Sequence, residues 1–348
     1  MRNKFTIILL ALAVLAMLAQ GLQTCNIFSG KDNGGKTPIA SSTPTPSAFS
    51  DAPVPDFNAD SAFAFVKKQV DFGPRVPNTT AHKKCSAMLT ATFRSYGLTV
   101  IEQTFTAPHY KGGTFNSVNI IAQYKPEAPK RILLAAHWDS RFAADKDTRD
   151  TLKPIDGADD GASGVGILLE IARLLKSSPP DIGVDLICFD AEDQGDDDGE
   201  NKSETWCLGS QYWGKNVHRA GYQPYYAILL DMVGAKGARF MKEGISMSIA
   251  PTTVDKIWAL ANDMGYGNYF VNILGPGITD DHVFVARHAK IPMIDVISLP
   301  NDGAHVFGSY HHTHNDNMTI IDRDVLKAVG QVMSAVVWRS VTPPAAIQ

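Results

Sequence analysis

The sequence predicts one α/β domain, a central, mostly parallel, twisted sheet flanked by helices. Three observations carry that prediction. Short continuous apolar runs, such as 131–136 and 184–189, read as strands buried on both faces. Amphipathic segments such as 163–176 alternate with them, and strands alternating with helices imply a parallel sheet covered on both sides. The 348 residues are 44% hydrophobic and 20% charged, which supplies enough apolar side chains for a sizeable core.

The chain opens with Arg2 and Lys4 ahead of an apolar run over 5–19, the charged and hydrophobic regions of a secretory signal. The run is shorter than the roughly 20 residues of a spanning helix. Leu22-Gln23-Thr24-Cys25 then resembles a bacterial lipoprotein box, so the expectation is a signal peptide over 1–24 and a lipidated Cys25. Residues 25–56 are read as the lipidated Cys and a disordered tether, since the Ser, Thr and Pro from Ser29 onward cannot bury enough surface to offset ordering. The folded domain is expected over 57–341, with a tail over 342–348. The product would be periplasmic, anchored through its lipid, and a monomer.

Within the domain, 59–70 is a helix with Phe63, Val66 and Val70 on one side, and 72–77 is a turn-rich loop. Helix 82–96 presents Met88, Leu89 and Phe93 and stops at Gly97. Segments 98–105 and 116–124 alternate, which predicts strands and an antiparallel edge. Strand 131–136 precedes helix 163–176, whose Val165, Leu168, Leu169, Ala172 and Leu175 face the core. Strands are also expected over 184–189, 226–230 and 292–297, and helices over 255–264 and 324–338. The net charge of −4, with no Lys/Arg run, excludes a nucleic-acid partner. Besides Cys25 there are Cys85, Cys188 and Cys207, which allow at most one disulfide; Cys188 and Cys207 are the nearest pair.

Polar residues gather where the apolar runs end: His137-Trp138-Asp139, Asp190-Ala191-Glu192-Asp193, Asp231 and Asp295. Ligands of open parallel sheets bind beyond the carboxyl ends of the strands, so these ends predict one shared rim. Asp160, in Gly157-Ala-Asp-Asp-Gly-Ala-Ser-Gly164, lies just before a helix, where Asp159, Asp160 and Ser163 could also act as caps. His311, His312 and His314 fall within four positions beside this rim and point to metal ligation. An imidazole with two carboxylates suits zinc with an open fourth position.

These residues resemble the zinc aminopeptidase superfamily, with its His-X-Asp strand end, Gly-Ala-X-Asp-X-X-Ser-Gly helix start, acidic pair (Glu192-Asp193), later strand-end Asp (Asp231) and late His-Thr (His312-Thr313). That resemblance implies a phosphorylase/hydrolase-like fold. Within it the chain looks most like the glutaminyl cyclases, through Phe72-Gly-Pro-Arg-Val-Pro77, Leu230-Asp-Met-Val-Gly-Ala235 and Asp280-Asp-His-Val-Phe284. The cyclase resemblance implies one zinc ion per chain on Asp160, Asp193 and His312, acid–base catalysis by Glu192, and supporting carboxylates Asp231 and Asp280. Its substrates would be peptides and proteins with N-terminal Gln, closed to pyroglutamate with release of ammonia. The alternative is a two-zinc aminopeptidase, in which His137 and Asp231 hold the second ion; in a cyclase His137 would support the first from behind. Departures from the animal cyclases are Asp193 for Glu, His311 for Trp and Asp295 for His, with Trp206 the one Trp near their pocket Trp. The acidic loop 194–204 reads as a solvated surface loop, with calcium binding as the alternative.

Overall fold

The apolar runs pair into a six-stranded sheet of order β1-β2-β4-β3-β5-β8. Its strands are β1 (Thr99–Pro108), β2 (Thr114–Tyr124), β3 (Arg131–His137), β4 (Gly183–Phe189), β5 (Tyr226–Asp231) and β8 (Met293–Ile297). β1, β2 and β4 run antiparallel in turn, while β4, β3, β5 and β8 are parallel. The antiparallel edge expected from 98–105 and 116–124 is therefore present. The structure, a computed structural model, describes residues 49–198, 202–300 and 305–340. The expected signal peptide, Cys25 and most of the tether lie outside those residues.

The central strands have no polar face because both faces are covered. Ile132, Leu134 and Ala136 of β3, with Ile228 and Leu230 of β5, enter the larger core cluster. That side is covered by α1 (Ala59–Val70), α2 (Thr80–Ser95), α3 (Ala162–Ser177) and α8 (Arg323–Trp338). Leu133, Ala135, Ala227 and Leu229 alternate onto the other face, against Trp213 and Val285. Trp213 lies in α4 (Leu208–Lys215), and Val285 opens the π-helical turn that continues α7 (Asp281–Phe284). A two-residue period with both phases apolar is what a doubly covered parallel sheet demands.

The helix starts follow capping chemistry. Asn58 accepts from Ser61 N–H at 3.0 Å, Thr79 from His82 N–H at 3.2 Å, and Asp322 from Asp324 N–H at 2.7 Å. α3 differs, for its N-cap is Gly161 and no side chain caps it. A Cβ at Gly164, within α3, would lie 2.3 Å from Leu230 O, so the helix rests directly on β5.

The structure corrects several expectations. Folding begins by Phe49, not Phe57: Phe49 is buried, Ser50 N–H donates to Arg339 O at 2.8 Å, and Arg339 Nε donates to Ala52 O at 3.1 Å. Cys85, Cys188 and Cys207 are all free and buried, so no Cys188–Cys207 bridge forms. Asp295 is not at a strand end; it sits mid-β8, opposite Leu229. α6 (Pro251–Asp263) starts earlier than 255, with Pro251 in its first turn. A small parallel pair, β6 (Phe240–Lys242) and β7 (Phe270–Leu274), and the short helix α5 (Gly244–Ile249) were not anticipated.

Candidate active site

Chain order leaves β3 for β4 on one side and later for β5 on the other, which opens a crevice above β3 at the carboxyl rim. His137 ends β3 with Asp139 just beyond it, Glu192 and Asp193 follow β4, and Asp231 ends β5. Asp160 enters from the loop before α3, His311 and His312 from the loop before α8, and Asp280 from the N-cap of α7. A cavity of about 240 Å³ has Asp160, Glu192, Asp193, Asp231, Asp280, His311 and His312 in its wall. Trp206, Met232, Ile278, Ile297 and Phe307 supply its apolar lining.

Asp160 is the hub. Its Oδ1 is 2.9 Å from His137 Nε2, which is also 3.2 Å from Asp231 Oδ1. Its Oδ2 is 3.7 Å from both His311 Nε2 and His312 Nε2, and His312 Nε2 is 2.9 Å from Asp193 Oδ1. Asp160 thus caps nothing and gives its carboxylate to the site. Asp159 also faces inward, accepting from Gly234 N–H at 2.6 Å and Tyr310 O–H at 2.5 Å. Two sets of close potential ligands share Asp160: His311 and His312 on one side, His137 and Asp231 on the other. A Cβ at Gly161 would meet the His137 ring at 2.5 Å, so the glycine lets the α3 loop close on His137.

Buried carboxylates hold the turns. Asp139 accepts from Glu192 N–H and Asp193 N–H, both at 3.1 Å, and from Gln194 Nε2 at 2.9 Å. Asp316 accepts from Asp159 N–H at 2.7 Å and Asp160 N–H at 3.2 Å. Ala191, Met232 and His312 have φ of 54°, 47° and 57°. Left-handed non-glycine residues cost about 1–2 kcal/mol each and gather at functional sites. Here each one is, or adjoins, a residue that faces the cavity.

Sequence reasoning missed several partners. Arg141, fully buried, pairs with Asp145 and donates to the backbone oxygens of Asp193 at 3.1 Å and Gly195 at 3.2 Å. Its guanidinium lies 4.5 Å from the centre of Trp206, and Trp206 stacks on His312 at 5.8 Å and 10°. Asp145 Oδ1 is 3.6 Å from His312 Nδ1. Arg in His-Trp-Asp-Ser-Arg was the one available signal, a cation beside an acidic rim. His314 does not join the cluster; its ring turns to Asp150 O at 3.4 Å. Among the described residues no set of close ligands falls in the acidic loop.

The electrostatics are those of a cluster short of positive charge. Burial and neighbouring acids push Glu192 and Asp193 well above the carboxylate range, Asp280 up to about 7 and Asp231 up to about 6. Burial and Arg141 hold His312 down at about 3. An acid raised by folding stabilises the fold below its unfolded value and loses that stabilisation as pH rises through the folded one. The depressed groups, His311, His312 and Asp160, oppose this only below about pH 7, where unfolded His finishes titrating. The metal-free protein is therefore expected to melt at a lower temperature at pH 9 than at pH 7. Thermal unfolding with and without chelator checks this, and metal-loaded protein should show the smaller fall.

The sequence model of peptidase family M28 matches residues 119–337. The crystal structure of Bacteroides thetaiotaomicron glutaminyl cyclase bound to N-acetylhistamine is 48% identical, over 82% of this chain and 99% of that one, with a TM-score of 0.80. A Zn-dependent exopeptidase from Parabacteroides distasonis has the same identity, coverage and TM-score. Among curated proteins, the glutaminyl-peptide cyclotransferase of Drosophila melanogaster is 25% identical over 72% of each chain. The chain belongs to peptidase family M28 and, within it, to the glutaminyl cyclases.

Proposed function

We propose that this chain is a glutaminyl-peptide cyclotransferase that converts the N-terminal Gln of peptides and proteins to pyroglutamate and releases ammonia, using one zinc ion per chain. The observation that carries the reading is the position of Glu192. Asp193 Oδ1 meets His312 Nε2 at 2.9 Å, whereas the groups close to the Glu192 carboxyl are Cys207 and Asp280, and Glu192 shares the cavity wall with Asp231 and Asp280. Hydrolysis at paired ions would leave Asp280 without a part to play, whereas a substrate carrying an amine and an amide gives it one.

Asp160, Asp193 and His312 would hold the ion. The fit rests on this site itself: Asp193 Oδ2 is buried with no hydrogen-bond partner, and His312 Nε2 faces both carboxylates. These are one nitrogen and two oxygen donors, the set a zinc site with an open position uses. When bound, the ion polarises the γ-carbonyl of the substrate Gln.

The chain's own residues do the rest. The walls of Trp206, Ile278, Ile297 and Phe307 enclose the Gln side chain and fold it back on its own α-amine, which makes ring closure intramolecular. The amine nitrogen bonds to the side-chain carbonyl carbon (Cδ), and Glu192 takes the proton that the nitrogen sheds. The bond from that carbonyl carbon to the amide nitrogen then breaks, Glu192 returns its proton to that nitrogen, and ammonia leaves. Asp231 and Asp280 hold the two nitrogens by charge-assisted hydrogen bonds. Burial raises Glu192 above the ordinary carboxylate range, the direction that suits a group returning a proton to the leaving nitrogen.

Export through a signal over 1–24 and lipidation at Cys25 would place the domain on the periplasmic side of the envelope, supported by Arg2 and Lys4 ahead of the apolar run 5–19. The function is tested by incubating purified protein with a Gln-initiated peptide and following mass and ammonia. Loss of one ammonia with the chain intact is expected. A peptide shortened by one residue would make the chain an aminopeptidase.

A further inference from the structure

We propose that Cys207 is a positioning residue, its S–H donating to Glu192 Oε1 and fixing that carboxyl for proton transfer. The inference rests on the cyclase reading and goes beyond it. Cys207 Sγ lies 3.1 Å from Glu192 Oε1, and among the described residues no other donor reaches this carboxyl. The same residue holds Glu192 by its backbone: Cys207 N–H donates to Glu192 O at 2.9 Å, and Leu208 N–H to Ala191 O at 3.1 Å. One residue thus fixes both the main chain and the side chain of the acid–base.

The local backbone supports a role beyond filling space. Cys207 is the N-cap of α4, with φ 55° and ψ 36° and no side-chain cap bond. Gly or Asn is the ordinary occupant of that conformation, and a Cβ there costs about 1–2 kcal/mol. Cys85 and Cys188 occupy regular helix and strand positions in the core. Cys207 instead turns its sulfur toward Glu192, with Asp280 Oδ1 at 4.0 Å. Burial and these acids push its thiol well above the ordinary range, so it remains a donor and is not a nucleophile. A thiol is a weak, uncharged donor, which can orient a carboxyl without bringing the charge that Lys or Arg would add.

The test uses the full zinc-loaded protein and a Gln-initiated peptide. Cys207→Ala is expected to lower kcat about tenfold, by misplacing a proton-transfer group, with KM within about twofold and zinc per chain unchanged. Cys207→Ser, which keeps a donor, is expected to recover kcat to within about threefold of wild type. A Cys207→Ala kcat within twofold of wild type, or a Ser variant as slow as the Ala variant, overturns the assignment. The S–H stretching band lost in whichever variant folds gives a second readout on the wild-type protein. It is expected at lower frequency than the bands of the remaining thiols, and a band at their frequency also overturns the assignment. A wild-type protein that releases no ammonia would fail the cyclase reading itself, a result separate from equal rates in wild type and variant.

Discussion

Glu192→Gln is expected to lower the kcat of cyclisation by about 10²- to 10⁴-fold while zinc per chain stays at the wild-type level. The amide keeps the size of the side chain and can still meet Cys207, but it cannot take a proton from the attacking amine or return one to the leaving nitrogen. KM should move little, because the walls of Trp206, Ile278, Ile297 and Phe307 are untouched. Steady-state ammonia release, with zinc counted in the same samples, checks both halves. Normal turnover in this variant would remove Glu192 from the chemistry. Lost zinc would make it a ligand.

The opposite signature is expected of the ligands. His312→Ala should lose both the ion and activity, by about a thousandfold or more, since polarisation of the carbonyl is worth several kcal/mol and each 1.36 kcal/mol is tenfold. The imidazole stands 2.9 Å from Asp193 and stacks on Trp206, so its loss also loosens the pocket wall. Chelation of the wild-type protein should give the same loss of activity, and added zinc should restore the wild type but not the variant. Zinc per chain by mass spectrometry, paired with rates, separates the two cases. A His312→Ala protein with full zinc and full activity would contradict the ligand assignment.

How much of this was legible in the sequence depended on whether a signal was local. The central strands were legible because both phases of their pleat are apolar, and the polar residues at and beyond their ends mark the rim: His137 ending β3 and Asp139 beyond it, Glu192 and Asp193 after β4, Asp231 ending β5. Asp295 was misplaced because a carboxylate in mid-strand looks like a strand's end when only the apolar residues before it are read. α5, β6 and β7 were missed because three to six residues are too short to show a period. The sequence left Asp160 open between capping and binding; its contacts with His137, His311 and His312 come from two distant segments. Arg141 offered only a cation beside the acidic rim, and Cys207 carried no motif at all. Their parts in the site arise from the Arg141 contacts to Asp193 and Trp206 and from the left-handed turn at Cys207, which only the fold assembles.

The most direct test of the account is the number and place of the metal ions. Diffraction from zinc-loaded crystals, recorded on either side of the zinc absorption edge, locates them without reference to activity. One peak per chain is expected, in contact with Asp160, Asp193 and His312, with the Glu192 carboxyl near it but not bound. A second peak between His137 and Asp231, or a single peak coordinated by Glu192, would contradict it.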